Sequence, residues 1–135
     1  MDLIDLYSDT QTRPTPAMRC FMMGAPVGDE QKGEDPTVNL LQDMVAELLA
    51  KEAALFLPSA TMANEIAIKV HTQPGDEVIL DRTAHPVNFE AGGPAFHSGV
   101  MAACLDGRRG IFTPEQVEAA IRPDEPHFQR SRLVS

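Results

Sequence analysis

Short apolar runs alternate with capped helical stretches along this chain, and that alternation limits its fold more than any other feature. Thr15-Pro16, Asp35-Pro36 and Thr113-Pro114 each place a polar N-cap before a proline at the first helical position. Thr113-Pro114-Glu115-Gln116 is also a capping box, predicting a helix to about Ile121. Gly24 supplies a stop for the first helix. Val38, Leu41, Val45, Leu48 and Leu49 recur at helical spacing after Asp35. Between these helices lie runs that read as strands: 53–57, Glu77 to Asp81 and Val100 to Leu105. Leu3 to Tyr7 reads as an extended arm, Val87 to Ala91 as a short helix ended by Gly92-Gly93, and Arg132-Leu133-Val134 as the start of another strand. Pro74-Gly75-Asp76 is a turn. Helices alternating with strands across short turns predict an α/β fold with a mostly parallel sheet flanked by helices.

Composition narrows the function. The 135 residues suffice for a real core, and an apolar content of 43% fits a globular chain. A formal net charge of −9 gives no electrostatic footprint for nucleic acid or an anionic membrane. No apolar run approaches the length of a membrane span, and the acidic N-terminus is no secretory signal. Cys20 and Cys104 form no metal or redox motif, so free thiols in the cytoplasm and small buried side chains are expected. No metal site is expected. Met18, Met22 and Met23 are read as packing residues.

The stretch Pro58-Ser59-Ala60-Thr61-Met62-Ala63-Asn64 opens the helical pattern that runs to Val70. It follows the apolar run 53–57, and a strand that turns tightly into a helix leaves unpaired backbone N–H groups and the positive end of the helix dipole at the turn. With the hydroxyls of Ser59 and Thr61, these donors suit a phosphate. The same residues also read as an ordinary N-cap, and the stretch taken by itself favours the cap.

Several ordered segments carry a resemblance. They are 5–15 (Asp5-Leu6-Tyr7-Ser8-Asp9-Thr10 and onward), 27–39 (Val27-Gly28-Asp29 to Asn39), 51–64, Pro74-Gly75-Asp76-Glu77-Val78-Ile79, Ala84-His85, Phe89-Glu90-Ala91-Gly92-Gly93 and 121–128. Together they resemble the low-specificity threonine aldolases almost end to end. The resemblance implies the N-terminal portion of the large domain of a fold-type-I enzyme that uses pyridoxal 5′-phosphate (PLP) to split β-hydroxy-α-amino acids into glycine and an aldehyde. It implies an N-terminal arm and helices over 1–50 and the start of the PLP-binding domain over 51–135, as one incomplete domain. It further implies a small-molecule substrate and a homo-oligomer, a dimer of dimers. The chain stops at Leu133-Val134-Ser135, where a strand should be gaining length, and is therefore expected to be a piece of a larger protein.

By the same resemblance, Ser59, Ala60 and Thr61 hold the cofactor phosphate, and His85 stacks on the pyridine ring. His85 and His127 lie near the substrate hydroxyl, whose proton a base must remove. Ser8 contacts the substrate carboxylate, and Glu90 orders the site. Without it, His85 and His127 read as loop histidines, and Ser8-Asp9-Thr10 as a turn. His71 suits a helix C-terminus, and His97 is expected to face solvent.

Three positions depart from the family pattern. Ala60 replaces a frequent glycine, Lys32 a common tyrosine and Tyr7 a common arginine. Ala60 keeps the N–H donor but adds a Cβ that either crowds the phosphate or requires a negative φ. PLP chemistry also needs a lysine, and none of Lys32, Lys51 and Lys69 stands in the family's context for it. This chain alone is therefore expected to be inactive. The alternatives are a non-catalytic remnant or assembly partner of an intact homologue, and a PLP-dependent β-eliminating lyase.

Overall fold

The computed structural model describes residues 4–135. Leu3, the first residue of the expected arm, lies outside them. The chain falls into two compact units, one ending at Phe56 and the other spanning Leu57–Ser135.

The first unit is helical. Ser8 caps a 3₁₀ turn at Asp9–Gln11. Helix α1, Pro16–Gly24, starts where Thr15 accepts from Met18 N, as its cap predicts. A second 3₁₀ turn, Glu30–Lys32, leads to α2, Pro36–Leu48. Asp35 fixes that entry. Its carboxylate accepts from Thr37 N at 3.0 Å, Thr37 Oγ1 at 2.7 Å, Val38 N at 3.0 Å and Gly28 N at 3.1 Å. These bonds, the one from Val38 foremost, hold its pKa at about 2. A side chain at position 28 would collide with the Glu34 carbonyl, so the loop needs glycine there. Helix α1 differs from expectation: Met18, Met22, Met23 and Cys20 are all exposed. No residue of α1 is buried, so its methionines and cysteine lack the packing read from their side-chain types.

The expected strand at 53–57 does not form. Leu55 and Phe56 are exposed, and the Phe56 amide bonds to Gln42 Oε1 at 2.9 Å instead of to a ladder. An apolar run is a strand only where another strand accepts its bonds, and the sheet of the described residues gives it no neighbour.

The second unit holds that sheet. Its strands are β1, Glu77–Asp81, β2, Met101–Leu105, and β3, Ser131–Val134, in the order β2-β1-β3 with both pairings parallel. Central β1 is buried at all five positions, as a strand covered on both faces should be. Val78 and Leu80 share one face with Val100 and with Ile68 of α3, Ala60–His71, and Ala84 and Leu133 close the cluster. Ile68, Val78, Leu80 and Val100 each contribute about 1.5–3 kcal/mol on burial.

Polar side chains tie down both ends of β1. At its start the Glu77 carboxylate accepts from Ser131 Oγ at 3.0 Å, from Gln129 Nε2 and from Arg122 Nε at 3.5 Å. At its end Asp81 accepts from Thr83 N at 2.8 Å, Thr83 Oγ1 at 2.5 Å and Gly107 N at 2.9 Å. Helix α4 is confined to His85–Asn88, shorter than and upstream of the stretch expected to end at Ala91. A wide π turn, Pro94–Ser98, follows. Helix α5, Pro114–Ala120, opens with the predicted reciprocal capping box. The α/β class and the parallel sheet flanked by helices agree with the sequence reading.

Candidate functional site

Helix α3 begins at Ala60. Ser59 is its cap, accepting from Met62 N at 3.1 Å. The Ser59 oxygen is then an acceptor within the protein, and its hydroxyl hydrogen remains a donor. The first-turn amides of Ala60 and Thr61 have no acceptor within the helix. No acidic side chain lies in that turn. Ser59 and Thr61 open onto a groove of about 510 Å³ along α3 that also touches Met62, Glu65, Lys69 and His97. A dianionic phosphate fits this donor set. Ala60 sits in helical conformation at the first position, outside the positive-φ residues, so its Cβ strains no backbone.

One turn further along α3, Asn64 and Glu65 face the segment that follows β1. Asn64 Nδ2 donates to Glu90 Oε1 at 2.6 Å. The same oxygen lies 2.8 Å from His85 Nδ1. The Glu90 side chain is 0% exposed and that of His85 55%, so the acid is sealed behind a ring that keeps an open face. An acceptor at Nδ1 selects the tautomer protonated there and leaves the Nε2 lone pair outward. Phe89 lies at a tilt beside the ring, centroids 5.4 Å apart. Burial pulls the Glu90 carboxyl up, but the bonds from Asn64 and His85, with the neighbouring Glu65 beside them, outweigh it and leave the group below its ordinary value. Glu65 moves the other way. Burial first, then the neighbouring Glu90 carboxyl and its charge, push it up to about 7.

Sequence reasoning singled out His85 and Glu90, and the structure joins them directly. It reaches Asn64 only as the end of a motif and does not reach Glu65. Thr61, Glu65, Ile68 and Thr72 fall at helical spacing, with Ile68 and Thr72 buried, so an acidic residue in an inward stripe was the available signal.

The remaining predicted residues lie elsewhere. His127 sits in the turn between α5 and β3, on the edge where the strands begin. His85 follows the opposite end of β1, and the chain does not bring the two together. Ser8 belongs to the first unit, its hydroxyl engaged with Thr10 Oγ1 at 2.9 Å and Asp9 Oδ1 at 3.3 Å. Lys32 pairs with Asp29 at 3.3 Å on the surface, and Tyr7 is exposed. Lys69 lies in the last turn of α3, ten residues from Ser59 and so ~15 Å along the axis. His71 is in the same last turn, and His97 is exposed, both as expected. No group of three metal-binding side chains occurs among the described residues, and none of their helices is long and apolar enough to cross a membrane.

Known proteins resemble the chain over nearly its full length. It is 48% identical over 134 residues to the low specificity L-threonine aldolase of Escherichia coli (strain K12), covering 98% of this chain and 40% of the relative. Against low-specificity L-threonine aldolase 1 of Arabidopsis thaliana identity is 44%, over 99% of this chain and 38% of the relative. Against the low specificity L-threonine aldolase of Saccharomyces cerevisiae it is 37%, over 97% and 35%. The chain thus spans about two fifths of the length of these relatives. Residues 5–135 match the beta-eliminating lyase family, and the chain belongs to that family.

Proposed function

We propose that this chain supplies part of a PLP-dependent aldehyde-lyase that cleaves threonine and related β-hydroxy-α-amino acids to glycine and an aldehyde. The observation that carries the reading is the presence of an N-terminal helix turn suited to phosphate together with an imidazole, in the segment after β1, held at Nδ1 by a buried acid. The family and the names of the relatives supply the reaction class. When bound, PLP would take up the electrons released from the amino acid's Cα–Cβ bond.

The protein's own residues do the rest. Ser59, Ala60 and Thr61 anchor the phosphate with two hydroxyls and the first-turn amides. The open face of His85 would cover the cofactor ring, and its Nε2 would accept the proton of the substrate β-hydroxyl. Glu90 fixes the ring's orientation. Ser8 is assigned to the substrate carboxylate. His127 keeps a substrate role only where another copy of the chain brings it to His85, which is one reason to assign the protein as a homo-oligomer. Two free thiols support a cytoplasmic setting.

The test uses the full-length protein that contains this chain. Added PLP should give an absorbance band that borohydride abolishes, and threonine should then yield glycine and acetaldehyde. A folded protein that stays colourless with excess PLP refutes the cofactor assignment. β-Elimination from serine or cysteine without aldehyde release would move the activity to the other reaction of the family.

A further inference from the structure

Three carboxylate oxygens in the second unit are buried without a donor. They are Glu65 Oε1, Glu65 Oε2 and Glu90 Oε2, and none of them has a hydrogen-bond partner among the described residues. Glu90 Oε1, by contrast, takes both Asn64 Nδ2 and His85 Nδ1. The backbone closes over the pair at Gly93, where any Cβ would run into the Glu65 carboxyl. Ionising both of two neighbouring carboxyls sealed from water is costly, and a proton on one of them satisfies the other. Glu90 has two donors and is the anion. Glu65 has none and carries the proton.

We propose that Glu65 is a positioning residue for His85: its carboxyl donates to Glu90 Oε2 and completes a Glu65–Glu90–His85 chain that keeps Glu90 turned toward Nδ1. The segment 85–90 and helix α3 are thereby joined by one proton in addition to the Asn64 bond. Other titratable groups on the elements around Glu65 are exposed: Lys69 on α3, His97 in the Pro94–Ser98 turn and the half-open His85. None replaces the buried donor. A carboxyl whose pKa lies at about 7 loses its proton just above neutrality. The chain then holds two adjacent anions, and Glu90 is pushed off its place behind the imidazole.

The catalytic consequence rests on the assignment of His85 as base; the proton sharing does not. Side-chain ¹³C signals of glutamates in the full-length protein should include one that titrates near pH 7 and vanishes in Glu65→Gln. Ring ¹⁵N shifts should show His85 protonated at Nδ1 from pH 6 to 9 in Glu65→Gln, whose amide donates at every pH. In the wild type that signature should weaken above pH 7, and in Glu65→Leu it should be weakened throughout. If every glutamate has finished titrating below about pH 5.5, or if His85 has the same tautomer balance in all three proteins, the proposal is wrong. The wild-type titration decides even where Glu65→Leu fails to fold. Activity separates the two claims. A Glu65→Gln enzyme should keep the wild-type rate at pH 6 within about twofold and lose the wild type's decline above pH 7. The expected spectra in a protein without aldehyde release would leave the proton sharing standing and remove the aldolase reading.

Discussion

An imidazole fixed at one nitrogen does different work from one free to turn. Glu90 holds His85 at Nδ1, so the ring's outer nitrogen and its open face are presented together. His85→Phe keeps a flat ring and loses the acceptor, while His85→Ala loses both. In the full-length enzyme Phe is expected to retain PLP more tightly than Ala. Both should lower kcat with threonine, since losing a general base commonly costs ~10²-fold or more. PLP dissociation and kcat for the three proteins check this, and equal binding with equal turnover would make His85 an ordinary loop histidine. His85 and Glu90 were legible in the sequence because their motif is local. Glu65 was not, because its role arises only when α3 packs against the segment after β1. Ala60 takes the negative φ that alanine prefers at a first helical position, so its Cβ strains no backbone there.

At the level of elements, what the sequence disclosed was what neighbours in the chain decide. Thr15, Asp35, Ser59 and Thr113 all cap the helices they precede. A cap involves residues within one turn, so pattern reading reaches it. The run 53–57 failed for the converse reason: strand formation depends on a partner distant in sequence. The same holds for Glu77, an acid buried at 1% exposure in the central strand. Nothing near it in sequence explains that burial; its partners are Arg122, Gln129 and Ser131, about fifty residues on. Glu77 holds the approach to β3 against the start of β1. Glu77→Ala removes the acceptor for all three and is expected to cost about 1–3 kcal/mol. Denaturant unfolding should show it as a lower midpoint at unchanged slope. A midpoint within error of wild type would mean the sheet pairing alone sets the β3 register.

For the molecule as a whole, the ionisable groups that fold into hydrogen bonds set opposing dependences on pH. Asp35 lies in the first unit and Glu65 in the second. Asp35 falls to about 2 from an ordinary value of 3.8. The unfolded chain therefore takes up its proton first as pH drops, and the stability Asp35 contributes is present above pH 4 and lost through about 2. Asp81 and Asp106 are lowered too, by bonds from Thr83 and from Arg82 respectively, and act with the same sign. Glu65 is raised from 4.5 to about 7, so the folded chain keeps a proton that the unfolded chain has released. Its contribution is complete below about pH 4.5, declines as pH rises toward 7, and is gone above that. Stability should thus climb from pH 2 to about 4.5 and then lose part of the gain by neutrality. Glu65→Gln cannot release a proton, so it should remove the decline between pH 4.5 and 7 and leave the acid limb in place. Unfolding free energies of both proteins at half-unit pH intervals test this. Parallel curves across that interval would place the proton of the buried pair elsewhere, whatever the spectra of His85 show.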